Sequence, residues 1–282
     1  MEQLSVVVLA KQVPDTRNVG KDAMRADGTV NRAALPAIFN PEDLYALEQA
    51  LRIKDAYPGT RVTVLTMGPG RAADVLREGL YRGADAGVLL TDRAFAGADT
   101  LATSYALMCA LRELKPDLVF SGRQAIDGDT AQVGPQVAEK LGWPQITFVE
   151  AVESFDGKVI CARRRVSHGV EVLESPLPVL LTVTSSAPEC RPRNAKLVMQ
   201  WKRAAAPIEK VPEDGYVHPA LEEWTAARLA ADPGSLGLAG SPTKVKSVEN
   251  VVFQVKESRR IEGSREAIDG LVVELLAQHT IG

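Results

Sequence analysis

Cysteine, histidine and long apolar runs are all scarce in this 282-residue chain, and each scarcity excludes something. Three cysteines, Cys109, Cys161 and Cys190, stand far apart with no C-x-x-C pair. That pattern excludes a disulfide framework and leads us to expect reduced thiols in a cytoplasmic protein. The three histidines, His168, His218 and His279, are equally scattered, so no metal cluster is expected. The apolar run nearest the start, Val6 to Ala10, is far shorter than a signal peptide core or a membrane span requires. There is also no basic excess: 33 Lys and Arg against 36 Asp and Glu leave a net charge of −3, which argues against a nucleic-acid partner. With 45% hydrophobic and 24% charged residues, the chain can bury an ordinary core. Its length suits one large or two small domains.

The most informative stretch runs from Asp117 to Gly142. Leu118 to Phe120, boxed by Pro116 and Gly122, reads as a buried parallel strand. Val133, Val137 and Leu141 give a helix pattern closed by Gly142. Between them, Gly122 to Thr130 is a turn of small and hydrogen-bonding residues. Strand, small-residue turn and helix start together suit a phosphate or nucleotide, because free N–H groups and the positive helix end converge there. Asp127 and Asp129 sit where an anion would arrive, so they are expected to cap backbone donors or hold ribose and flavin hydroxyls. A well-capped βα turn without a ligand is the plain alternative.

Similar units repeat along the chain. Leu4 to Ala10 is an apolar strand with Lys11-Gln-Val-Pro-Asp-Thr at its carboxyl end. Met24 to Arg32, around Asp27-Gly28, reads as a hairpin. Asn40-Pro-Glu-Asp43 is a helix start, with Asn as N-cap and Pro at the first helical position. Arg61 to Met67 is a second strand, Gly87 to Leu90 a third, and Asp99 or Thr100 caps a helix carrying Leu101, Tyr105, Met108 and Leu111. Gly68-Pro-Gly-Arg-Ala-Ala73 fits the G-x-G-x-x-A dinucleotide fingerprint. It follows the second strand, however, and Asp85 lies too close behind it to serve as the ribose acid. Four β–α units predict an α/β fold with a doubly wound, mostly parallel sheet of the adenine-nucleotide-binding, Rossmann-like type.

After Gly142 the pattern changes to short strands, Pro144 to Glu153, Lys158 to Arg165 and Val170 to Leu173, and Pro178 to Thr184 is expected to return to the main sheet. Arg163 to Arg165 alternate in direction, so they read as a solvated face. Core-like periodicity fades beyond Ser185, and Gly234 to Thr243 is expected to have little to pack on. Ser264 caps a last helix with Ile268, Leu271, Val272, Leu275 and Leu276 on one stripe. A lone helix of that length is marginal in water, so it needs a partner. We therefore divide the chain into a nucleotide-binding domain, residues 1–195, and an extended C-terminal arm, residues 196–282.

Gly122-Arg-Gln-Ala-Ile-Asp-Gly-Asp-Thr-Ala-Gln-Val-Gly-Pro135 closely resembles the nucleotide-binding signature of the electron transfer flavoprotein beta subunit. Lys11-Gln-Val-Pro-Asp15, Asn40-Pro-Glu-Asp43, Gly68-Pro69, Gly83-Ala-Asp85 and Ala96-Gly-Ala-Asp-Thr-Leu-Ala-Thr-Ser104 agree in order. The resemblance implies a site formed by Leu9, Ala10, Lys11, Asn40, Asp43, Met67, Gly68 and Thr103. The signature adds Gly122, Arg123, Gln124, Asp127, Gly128, Asp129, Thr130, Ala131, Gln132, Val133, Gly134 and Pro135. It further implies a heterodimer with an alpha subunit, around which the arm wraps. Electrons would pass from acyl-CoA dehydrogenases or NADH to a quinone oxidoreductase or other acceptor, with no catalytic side chain in this subunit. Asp127 to Pro135, with Gly240-Ser-Pro-Thr243, is similar to the bifurcating branch, whose pocket holds FAD; the other branch holds AMP. Gly128, Ala131 and Gly134 leave backbone open to a pyrophosphate. Pro188 to Asn194 occupies the family's partner-recognition loop but retains only its Glu189 and Arg191. The hairpin near Arg165 lacks the family's acid and Gly-Gly pair, so a subunit salt bridge is not carried over. Outside this family, two readings remain: an NAD enzyme using the Gly68 turn, and a stress-type ATP or AMP module.

Overall fold

The computed structural model describes residues 3–15, 35–211, 213–243, 260–278 and 280. The hairpin expected over Met24 to Arg32 lies outside them. The chain opens with β1 (Ser5–Leu9), followed by two short strands, β2 (Gln12–Pro14) and β3 (Ala37–Phe39), which pair antiparallel. Then come α1 (Pro41–Ala56), β4 (Arg61–Met67), α2 (Ala73–Arg82), β5 (Ala86–Leu90), α3 (Thr100–Leu114), β6 (Leu118–Gly122) and α4 (Val133–Leu141). A meander of β7 (Gln145–Phe155), β8 (Val159–Val166) and β9 (Gly169–Pro176) leads into β10 (Val179–Val183). Next are α5 (Ala195–Trp201), a two-residue pair β11 (Ala204–Ala205) and β12 (Tyr216–Val217), β13 (Leu221–Trp224), and finally α6 (Arg265–Ala277).

One nine-stranded sheet organises these pieces, in the spatial order β13-β5-β4-β1-β6-β10-β7-β8-β9. The first seven strands run parallel, and β7, β8 and β9 are antiparallel. This is the expected α/β, doubly wound, mostly parallel sheet. Its central strands β1, β5, β6 and β10 are almost wholly buried because both faces are covered there. Val6, Val8, Leu118 and Phe120 join one buried cluster beneath α1 and α2, whereas Val7, Leu9, Leu65 and Val119 join a second beneath α3 and α4. Burying one such side chain stabilises the fold by about 1.5–3 kcal/mol. Chain order departs in opposite directions from the β1–β6 pair, so the carboxyl ends of Leu9 and Ser121 flank a topological switch point.

Past residue 195 the core continues. Trp201 and Ala204 to Ala206 are buried, and β13 adds a parallel edge strand beside β5, burying Leu221 and Trp224. The expectation that Gly234 to Thr243 packs on little is corrected by Leu236 and Ser241, both buried. Sequence periodicity missed this region because each element is short and its partners are distant in sequence. By contrast, α6 buries none of its residues. Among the described residues, no helix is long and apolar enough to cross a membrane, and no group of three or more His, Cys, Asp or Glu could hold a metal.

Candidate functional site

The switch point opens into a cavity of about 370 Å3 between the carboxyl ends of β1, β4 and β6 and the first turns of α3 and α4. Two acids at the start of α1 shape it. Glu42 receives Arg123 Nη2 at 2.9 Å and the Gln124 N–H at 3.0 Å. Asp43 receives the Lys11 N–H at 2.8 Å and the Gly122 N–H at 3.0 Å. The helix start therefore staples together the ends of β1 and β6. Burial pushes the Asp43 carboxyl up to about 7, outweighing the hydrogen bonds from Lys11, Asn40 and Gly122 that favour its charged form.

Asn40 corrects a sequence-based expectation. Proline does occupy the first helical position, but the Asn40 side chain makes no cap hydrogen bond. It is fully buried, donates from Nδ2 to the Gln124 carbonyl at 2.9 Å, and accepts the Ile126 N–H at 3.2 Å through Oδ1. Its work is tertiary: it fixes the path of the turn after β6. Gly134 is corrected as well. A Cβ there would press on Thr182 and Ser121, so glycine lets α4 settle on the sheet rather than clearing backbone for a ligand. Gly128, in contrast, has open space where its Cβ would be.

Turn geometry is unusual at two non-glycine positions, Asp129 at φ 49° and Ala131 at φ 52°. Such conformations cost roughly 1–3 kcal/mol each and cluster at binding sites. Gln124 Nε2 holds Asp129 at 2.9 Å, and Lys11 Nζ reaches both Asp127 oxygens at 2.7 and 2.8 Å. Among the described residues, neither carboxylate caps a backbone donor. Across the mouth, Asp99 caps α3 by accepting the Leu101 and Ala102 N–H groups and also receives Thr243. Burial opposes its charge, yet the hydrogen bonds from Thr243, Ala102 and Leu101 hold its carboxyl down at about 2. Ser241 Oγ accepts the Asp99 N–H at 2.8 Å, so the segment near Gly240 does reach the site rim.

The cavity brings together Leu9, Ala10, Lys11, Asp43, Met67, Thr103, Gly122, Arg123, Gln124 and Gly128 to Gly134. Asn40 stands behind the wall, Asp127 outside the lining, and Pro135 in the first turn of α4. Gly68 is not part of the lining, and its N–H donates to the Leu90 carbonyl. Sequence reasoning missed Leu65, Leu107, Ala98, Asp99, Thr100, Ser121 and Ala125 as wall residues. Asp99 and Thr100 carried a signal, as helix-cap residues opening a strand-end loop. Leu65 and Leu107 look like any core leucine.

Two observations bear on whether a nucleotide fits. Ser121 Oγ is a buried polar atom in this wall without a hydrogen-bond partner. The first-turn N–H groups of α4 also lack intrahelical acceptors, giving the wall donors and positive potential. The alternative turn at Gly68 offers less. Ile208 approaches within 3.3 Å of where a Gly70 Cβ would stand, and Asp85 is committed to Lys54 and to the Val62 N–H. Ile208 thus covers that turn at Gly70, and Asp85 already has its partners.

Comparison with known proteins gives the same direction. Residues 27–214 match the electron transfer flavoprotein domain. The chain is 44% identical to the electron transfer flavoprotein subunit beta of Clostridium acetobutylicum, covering 97% of this chain and 95% of that one. It is also 44% identical to the caffeyl-CoA reductase-Etf complex subunit CarD of Acetobacterium woodii, covering 86% of each. Protein FixA of Rhizobium meliloti is 40% identical, over 97% of this chain and 92% of that one. On the strength of a matched domain spanning most of the sheet and full-length identity at this level, this chain belongs to the electron transfer flavoprotein family and stands among its beta subunits.

Proposed function

We propose that the switch-point cavity holds an adenine nucleotide, FAD, and that the chain works as the beta subunit of a heterodimer that transfers electrons. The observation that carries this reading is the convergence of the signature turn, the α1 acids and the α4 N-terminus on one cavity. Leu9, Ala10, Met67 and Val133 would offer apolar surface to the adenosine half. Gln132, Asp129 and Gln124 would offer polar groups to hydroxyls, and the α4 N-terminus would receive phosphate. Bound flavin would supply the redox chemistry, and the residues here would bind and orient it and exclude water from its adenosine end.

The cavity lies at the small end of the range for ligand pockets, about 300–1,000 Å3. That size suits the adenine nucleotide half and leaves the rest of FAD to extend past Lys11 and Asp127. The same size favours a second reading, in which AMP fills the site as a structural ligand. The FAD reading rests on the turn Asp127 to Pro135, whose resemblance to the bifurcating branch also suggests NADH as hydride donor. In either case an alpha subunit is the natural partner for the exposed apolar stripe of α6, including Ile268, Val272 and Leu276. Acyl-CoA dehydrogenases and a quinone oxidoreductase are the redox partners the reading implies. Co-purification tests it: the chain should pull down an alpha subunit with flavin absorption bands. A colourless, partnerless chain that binds only ATP or AMP would contradict it.

A further inference from the structure

Two cations line the cavity, and they are held in different ways. Arg123 is bound to Glu42 at 2.9 and 3.3 Å, and the Glu42 carboxylate is only 12% exposed, so releasing Arg123 would strand a buried charge. The side chains of Lys11 and Asp127 are 49% and 25% exposed, and an exposed pair of this kind stabilises little. Lys11 faces the cavity, whereas Asp127 is not part of its lining. The root of Lys11 is fixed, its N–H on Asp43 at 2.8 Å and its carbonyl accepting the Asn40 N–H at 2.9 Å. Only the flexible stem and ammonium are free to swing. The wall also carries Asp99 and Asp129, so the Lys11 ammonium is the movable cation that an arriving phosphate can recruit.

We infer that Lys11 changes partner on ligand binding, leaving Asp127 for the anionic group of the nucleotide. Asp127 is then a competing counter-anion that sets affinity, not a ligand contact. This rests on the adenine-nucleotide reading above. No bond is made or broken; one ionic partner replaces another. Removing the charge of Asp127 while keeping its shape therefore tightens binding, the opposite of what a contact residue would do.

Calorimetry on the full chain stripped of nucleotide tests this, with AMP, FAD and adenosine as probes and with Asp127→Asn, Lys11→Gln and the double variant. Asp127→Asn should tighten the phosphate-bearing probes roughly 2- to 5-fold and leave adenosine unchanged. Lys11→Gln should weaken them about tenfold, and adding Asp127→Asn to it should change nothing further. Unchanged or weaker AMP and FAD binding by Asp127→Asn overturns the inference while leaving the pocket reading intact. So does tightening that persists in the Lys11→Gln background, or an equal shift for adenosine. A wild-type chain that binds no probe overturns both.

Discussion

The Gly122 N–H donates to Asp43 Oδ1 at 3.0 Å, and a Cβ at Gly122 would collide with that same oxygen and lie 2.7 Å from the Asp43 N. The last residue of β6 therefore lies against both the backbone and a side chain of the first turn of α1, with no room for a methyl group. Gly122→Ala should destabilise the chain by about 2–3 kcal/mol, the scale of a lost buried hydrogen bond plus overpacking. Urea denaturation measures it. A loss under about 0.5 kcal/mol, the ordinary surface value, would mean the two segments separate freely.

Asp43 also predicts a pH dependence. Its carboxyl stands at about 7 in the folded chain against 3.8 when unfolded, because burial disfavours its charge. A raised folded value contributes stability that is fully present below pH 3.8 and is lost as pH rises through about 7. Between those limits this group makes the fold weaker with rising pH, by at most ~1.4 kcal/mol per unit. Glu42 adds to the rise, while Lys11, Asn40 and Gly122 oppose it through hydrogen bonds. Asp43→Asn should flatten the stability profile between about pH 4 and 7, the window set by the two values. A profile of unchanged slope would show that another group titrates there.

Asn40→Ala removes a donor and an acceptor that hold the Gln124 carbonyl and the Ile126 N–H. The expected cost is about 1–3 kcal/mol with a fall in nucleotide content, because the turn loses its inner anchor. Asp129→Ala and Gln132→Ala should also lower nucleotide occupancy while leaving the melting temperature nearly unchanged, since the hydrogen bonds of their side chains are exposed ones. Equal losses of stability in all three variants would mean that the turn is purely structural.

The C-terminal segments respond differently to truncation. Deleting 202–282 would strip β13 from the sheet and remove Trp224 from the core, so that cut should lower stability sharply. Deleting 260–282 removes α6, which buries nothing, and should leave the melting temperature almost unchanged while abolishing co-purification with an alpha subunit. Undiminished pull-down by the shorter chain would remove α6 from the interface.

Much of the sheet was legible from sequence because covering both faces forces unbroken apolar runs, as in Val6 to Leu9 and Leu118 to Phe120. Leu221-Glu-Glu-Trp224 was not legible: half its residues are charged, and only pairing with distant β5 makes it a strand. Asn40 misled for the opposite reason. Its local setting, before Pro41 and two acids, is a good helix start, while its actual partners lie 84 and 86 residues further on. In the site, signature residues were readable because strand ends of a doubly wound sheet converge. Leu65 and Leu107 were not, because a wall leucine and a core leucine carry the same chemistry.

The central claim is that this chain holds its own FAD, apart from any flavin on a partner. Acid extraction of the gently purified heterodimer, followed by separation and quantitation of the released nucleotides, measures it directly. The account predicts about two FAD per heterodimer and little AMP, one flavin belonging to each subunit. About one FAD with an equal amount of AMP would contradict it.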